Sequence, residues 1–217
     1  MSKIIIFGNL DAAELACFYF KNDSPHSPVA FCVDGSYIKE NTFYGLPVVA
    51  FEDIESNFSK NDYLFHAPIY ASGMNDLRTN IVSRIEKKGY NLTSYISSKA
   101  YTWNSTIGKN AFILEGCNIQ PFCKVGNNNI IWSFTHIGHH SIIGDNNFIS
   151  SHVAIAGHNK IGDNCFIGTN STTRDGTKIV SRTFIGQDSS VVKDIHKEGV
   201  YVGTPARYLK STENLKF

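Results

Sequence analysis

The chain has 217 residues, with 20 Lys and Arg against 19 Asp and Glu and a formal net charge of +1. That balance leaves no one-sided basic surface of the kind that binds nucleic acid or an anionic membrane. No apolar run is long enough to span a bilayer, and the length allows one domain or two.

The opening Met1-Ser2-Lys3-Ile4-Ile5-Ile6 is too short and too soon broken for a signal peptide. The cysteines at 17, 32, 117, 123 and 165 form no CxxC pair. Reduced, buried thiols and a cytoplasmic protein are the expectation. Ile4–Phe7 reads as a short buried strand ending at Gly8. Asp11–Phe20 follows as a helix with Leu15, Phe18 and Tyr19 on its apolar face. Val29–Val33 is a second strand ending at Asp34-Gly35. Leu46–Ala50 is a short extended piece and Tyr63–His66 a third strand. Asn75–Lys88 is a helix stopped by Gly89. Residues 1–92 are thus predicted to form a small parallel α/β unit. Ligands of such sheets sit beyond the carboxyl ends of the strands, here at Gly8-Asn9 and Asp34-Gly35. A dinucleotide fingerprint is excluded, because Gly8-Asn9-Leu10-Asp11-Ala12-Ala13 lacks its second and third glycines.

From Ile107 the texture changes to a period of six. Counting Ile107 as position 1, every sixth residue through Val191 is Ile or Val except Thr173. Position 2 is Gly at 108, 126, 138, 144, 162, 168 and 186, which suits a corner where the backbone turns. Position 5 is mostly small or polar, as at Ala111, Cys117, Cys123, Thr135 and Ser141. No helical period gives a strict six, whereas a solenoid of three short strands per coil does.

This [Ile/Val]-Gly-x4 pattern resembles the left-handed parallel β-helix of the hexapeptide acyltransferases. With the α/β unit before it, the whole chain resembles the bacterial nucleotide-amino-sugar N-acetyltransferases and the related sialic-acid O-acetyltransferase family. The resemblance implies a Rossmann-like domain over 1–92 that grips the nucleotide, a β-helix over 93–204 and a C-terminal tail over 205–217. It implies acetyl-CoA as co-substrate, a sugar acceptor bound near Gly8, Asn9 and Asp34, and a homotrimer. The alternative for Asp34 is an ordinary turn residue. Gly199-Val200-Tyr201-Val202-Gly203-Thr204-Pro205-Ala206-Arg207 is similar to the family's closing segment, which covers the open end of the solenoid.

Within the repeat, Gly138-His139-His140 carries two adjacent histidines. A coil of three hexads stacks residues 18 apart, so His139 is predicted beside Gly157 and His140 beside His158. The slot next to His139 then lacks a side chain, leaving a notch where an amine and a thioester can meet. Histidine can take a proton near neutral pH. In the resembled enzymes the base is a histidine at this position, followed by an acid; here His140 follows instead. His140 is the second catalytic candidate; if it does not assist, another acid or a carbonyl orients the imidazole, with Asp145 and Asp163 as the candidate acids, and His136 is the rival base. The resemblance also places Gly157, Thr169 and Asn170 against the coenzyme, with backbone amides holding the carbonyl oxygen. Lys178, Arg182, Lys193 and Lys197 are candidate phosphate partners. No serine or cysteine is placed as a covalent nucleophile, so direct attack is expected. No metal is expected, although the solenoid also hosts zinc carbonic anhydrases that use three histidines.

Overall fold

Four apolar residues in a row are satisfied only by burial on both faces. In the computed structural model, which describes residues 2–213 and 215, Ile4–Phe7 lies at the centre of a sheet. The chain runs β1 (Lys3–Phe7), α1 (Asp11–Asn22), β2 (Ser27–Val33), β3 (Thr42–Phe43), β4 (Leu46–Ala50), α2 (Ile54–Asn57), β5 (Tyr63–His66), α3 (Asp76–Lys87) and β6 (Asn91–Leu92). The sheet order is β3-β4-β2-β1-β5-β6, parallel throughout except for the β3–β4 hairpin. The apolar face of α1 differs from the expected one. Its buried residues are Ala13, Ala16, Cys17 and Phe20, while Phe18 is exposed and Leu15 and Tyr19 are half-buried. Small residues let the helix lie close on the sheet, so alanines and Cys17 share its inner face with Phe20.

Residues 95–191 form a parallel β-helix of two-residue strands on three walls. Wall 1 includes Phe112–Ile113, Ile130–Ile131, Phe148–Ile149 and Phe166–Ile167. Wall 2 includes Asn118–Ile119, His136–Ile137, Ala154–Ile155 and Thr172–Thr173. Wall 3 includes Thr106–Ile107, Lys124–Val125, Ile142–Ile143 and Lys160–Ile161. Between Thr106 and Val191, each strand residue pairs with the one 18 further on, as in His136↔Ala154 and Ile143↔Ile161, while the first coil pairs at 17, as in Tyr95↔Phe112. Position 1 fills the core with a column of Ile and Val. Position 5 also faces inward, at the corners. There Cys117 Sγ contacts Trp132 O at 3.1 Å, Thr135 Oγ1 donates to Ser150 O at 2.8 Å and Ser171 Oγ to Gly186 O at 2.8 Å. Where position 5 is a short polar residue, its side chain meets a buried carbonyl. The five cysteines are buried and unpaired, as expected.

The glycines do not serve the turns as expected. Those at position 2 have ordinary φ; the left-handed residue at each corner is position 4, such as Asn128 (φ 58°), Phe134 (62°) or His140 (61°). The position-2 glycines are needed because the next coil passes too close. A Cβ on Gly162 would lie 2.5 Å from the Ser181 amide nitrogen, and one on Gly138 would lie 2.5 Å from that of Gly157.

The α/β unit docks on wall 1. Phe112, Ile130 and Phe148 point outward from the solenoid and are buried in one cluster with Ile4, Phe20 and Phe31. At the corner between walls 3 and 1, Asn110, Asn128, Asn146 and Asn164 form a hydrogen-bonded ladder that ends at Met74 O and Asp76 on the α3 side. Buried Arg78 of α3 reaches the same corner and donates to the carbonyls of Ile69, Asn128, Asn146 and Asn147 at 2.8–3.2 Å. Burial brings its guanidinium down to about 9, still charged at neutral pH. After the last coil, Gly199–Val202 extends wall 1 and Arg207–Lys210 pairs antiparallel to it, so a strand occupies part of the expected tail 205–217. Positions 214, 216 and 217 of that tail lie outside the described residues.

Candidate active site

The predicted residues form two groups. The first lies at the sheet's carboxyl edge, where Gly8, Asn9 and Asp34 line a cavity of about 600 Å³ with Tyr37, Tyr70 and Arg84. The strand ends leave this space because Gly8 turns the chain with φ +126°. Asn9 Nδ2 donates to Tyr37 O at 3.2 Å, closing one side. An adjoining cavity of about 440 Å³ shares Asn9, Leu10 and Tyr37 and adds Lys39 and Glu40. Asp34 is not a free carboxylate: Arg84 grips it with both terminal nitrogens, and this pairing holds the guanidinium above its ordinary value. The guanidinium also stacks over Phe51 at 4.8 Å. Arg84 escaped the sequence reading, although Leu77, Ile81 and Arg84 recur at helical spacing toward the same cavity.

The second group lies at the corner between walls 2 and 3. Its position-3 column runs Pro121, His139, Gly157, Asp175, and its position-4 column Phe122, His140, His158, Gly176. A Cβ on Gly157 would meet Asp175 Oδ1 at 2.9 Å and His139 Cε1 and Nε2 at 3.1 and 3.2 Å. The missing side chain therefore opens a gap with an imidazole on one side and a carboxylate on the other. His139 is exposed; its amide donates to Gln120 Oε1 at 2.9 Å, its carbonyl accepts from His158 N, and its Nδ1 lies 3.1 Å from His140 Nδ1. His140 and His158 stack at 5.0 Å, with Phe122 4.8 Å below His140.

Several expectations change here. Asp145 and Asp163 sit at the corner between walls 3 and 1, where their Oδ1 atoms accept from Asn127 N and Asp145 N. They cap the neighbouring coil and do not orient His139. Asp175 faces the gap instead, and it could have been found one further step of 18 along the column. His136 lies half-buried on wall 2, outside this corner. Thr169 and Asn170 flank the opposite edge of wall 2, at its corner with wall 1, where Asn170 Nδ2 donates to Asp188 Oδ1 at 2.7 Å. One chain thus does not bring Thr169 and Asn170 beside His139 and Gly157. Arg182 is paired with Asp76 at 2.9 Å.

Residues 104–139, 123–157 and 140–175 each match the model of the bacterial transferase hexapeptide of six repeats. Residues 104–175 carry the transferase hexapeptide repeat. Curated protein sequences give no significant match. Among solved structures, the chain is similar to PerB from Caulobacter crescentus in complex with CoA and GDP-perosamine. The TM-score is 0.84 at 19% identity, covering 96% of this chain and 98% of that one. It is similar to the acetyltransferase domain of PglB from Neisseria gonorrhoeae in complex with acetyl coenzyme A, with a TM-score of 0.80 at 19% identity over 95% and 98% of the two chains. It is also similar to WeeI from Acinetobacter baumannii, with a TM-score of 0.64 at 21% identity over 96% and 100%. The hexapeptide repeat of this chain has the left-handed coil of that fold, preceded by the same short α/β part.

Proposed function

We propose that the chain is an acetyl-CoA-dependent N-acetyltransferase acting on a nucleotide-linked amino sugar, with His139 as general base. The observation that carries this reading is the His139 imidazole beside the gap at Gly157. Two of the similar structures hold CoA or acetyl-CoA, and one of them also holds GDP-perosamine, a nucleotide-linked amino sugar. With its hydrogen on Nδ1, His139 donates to His140 Nδ1 across their 3.1 Å contact. Nε2 then keeps its lone pair toward the gap, and His140 does the orienting work of an acid. Nε2 takes a proton from the amine as nitrogen attacks the thioester carbonyl. The new C–N bond forms, the C–S bond breaks, and the imidazole returns the proton to the departing thiolate.

The nucleotide cavity opens on the wall 1 side of the chain and His139 lies at the corner opposite that wall. A complete site therefore draws its cavity and its base from different copies, which is the functional reason for a homotrimer. Thr169 and Asn170 of one copy and Gly157 of the next would line the coenzyme groove between solenoids. Thiol release from acetyl-CoA, measured against a panel of nucleotide-linked amino sugars, tests the reading. Acceptor-dependent release is expected; no release with any member overturns it.

A further inference from the structure

His139, His140 and His158 present ring nitrogens that all lie within 4.8 Å of one another, on the solvent side of the corner. Their backbones are fixed in this arrangement. His140 and His158 occupy the left-handed corner position of successive coils, with φ 61° and 57°, and so project in parallel. His139 meets both rings edge-on, at centroid distances of 5.2 and 5.0 Å. Among the described residues, the ring nitrogens of His140 and His158 have no hydrogen-bond partner in the protein other than His139. One coil above His158 stands Gly176, where a Cβ would meet nothing within 4 Å, so the approach from that side is open.

Three imidazoles with an open fourth position are the donor set of a borderline transition metal. Zn–N bonds of 2.0–2.1 Å put tetrahedral nitrogens about 3.3 Å apart. The His139–His140 pair is already at 3.1 Å, and exposed rings need only turn about their side-chain bonds to bring in His158. We propose that these three side chains bind one Zn2+ per chain and that the bound ion silences the base. A neutral imidazole has one lone pair. Whichever nitrogen of His139 binds the metal, the other carries the hydrogen, and neither accepts a proton. The ion is thus an inhibitor rather than a participant in acyl transfer. The silencing rests on the acetyl-transfer reading; the metal binding does not.

The experiment titrates chelator-stripped protein with Zn2+ in competition with a chromophoric chelator, without substrates. One equivalent is expected per chain. His158→Ala and His140→Ala should each weaken it at least tenfold, while His152→Ala, at another corner, should leave it unchanged. Circular dichroism and a second variant, His158→Gln, guard against misfolding. Co2+ in place of zinc should give the absorption bands of a tetrahedral site. Acetyl transfer is then compared with and without zinc in each protein. It should fall at least tenfold in the wild type, recover with EDTA, and change little in the His158 variants. Absence of stoichiometric binding, or equal binding by the His158 variants, overturns the site. Zinc bound without loss of transfer overturns the silencing. If no acceptor supports transfer, the proposed function fails and the titration still decides the site.

Discussion

At the scale of single residues, the proposed chemistry depends on one imidazole and one missing side chain. Replacing His139 with Ala should lower the transfer rate by about 10²–10⁴-fold, the usual contribution of a general base. Circular dichroism should be unchanged, because the side chain is exposed. Steady-state thiol release checks this, and near-normal rates would remove His139 from the mechanism. The pairing of His139 with Gly157 was legible from the sequence, because the register of 18 is set by the repeat itself. Asp175 was equally accessible to that arithmetic, whereas the Arg84 grip on Asp34 was not, since it joins elements with no shared period. A second histidine, His66, is wholly buried between Phe20 and Phe112. Its Nδ1–H donates to Thr93 O at 3.1 Å, and its Nε2 has no partner among the described residues. Burial pulls it down from 6.5 to about 4. The unfolded chain therefore takes up a proton that the folded chain refuses between those values, so stability falls as pH drops from 6.5 towards 4. The loss should reach about 3 kcal/mol, and His66→Gln should flatten it in urea titrations run across that window.

At the scale of elements, the segments with an apolar run or a helical period read true from the sequence and those with neither did not. β1, α1, β2, β4, β5 and α3 lie where apolar runs, helical spacing and Gly89 put them, within a few residues. β3, β6 and α2 span two to four residues each and carry no period to detect. The glycine pattern was visible, but its cause was not. Sequence spacing identifies the position, and only the distance between coils shows that a methyl group has no room. Gly162→Ala, whose Cβ would sit 2.5 Å from Ser181 N, should cost about 1–3 kcal/mol through overpacking, seen as a lower urea midpoint. Arg78 joins the two halves through carbonyls rather than a carboxylate, so no charge pairing in the sequence announced it. Arg78→Met removes the donor from the carbonyls of Ile69, Asn128 and Asn146, while Asn147 O keeps Ile130 N, and should destabilise the docking by about 3 kcal/mol or more. Tryptophan fluorescence should report it, since Trp132 lies 5.7 Å from Tyr70 at this junction.

At the scale of the whole molecule, the cavity and His139 sit on opposite sides of one chain. Two defective chains should therefore complement each other. His139→Ala removes the base, and Ser72→Trp, at the cavity lining, blocks the acceptor. Each alone should be inactive. Co-expressed in equal amounts, they should recover about one quarter of wild-type activity, because a random ring of copies pairs an intact base with an intact cavity that often. No recovery would place both halves of the site within one chain. The stacking register also makes the chain a threefold screw in which position along the sequence is converted to height and bearing. Excising eighteen residues from the lower coils would leave every column in phase and simply lower all later coils by one step, about 4.8 Å. Excising six would keep the core intact but rotate everything downstream by a third of a revolution, carrying His139 to a different edge of the prism. Indel length in this protein is therefore an angular coordinate: multiples of eighteen shorten the column, while other multiples of six re-aim the base.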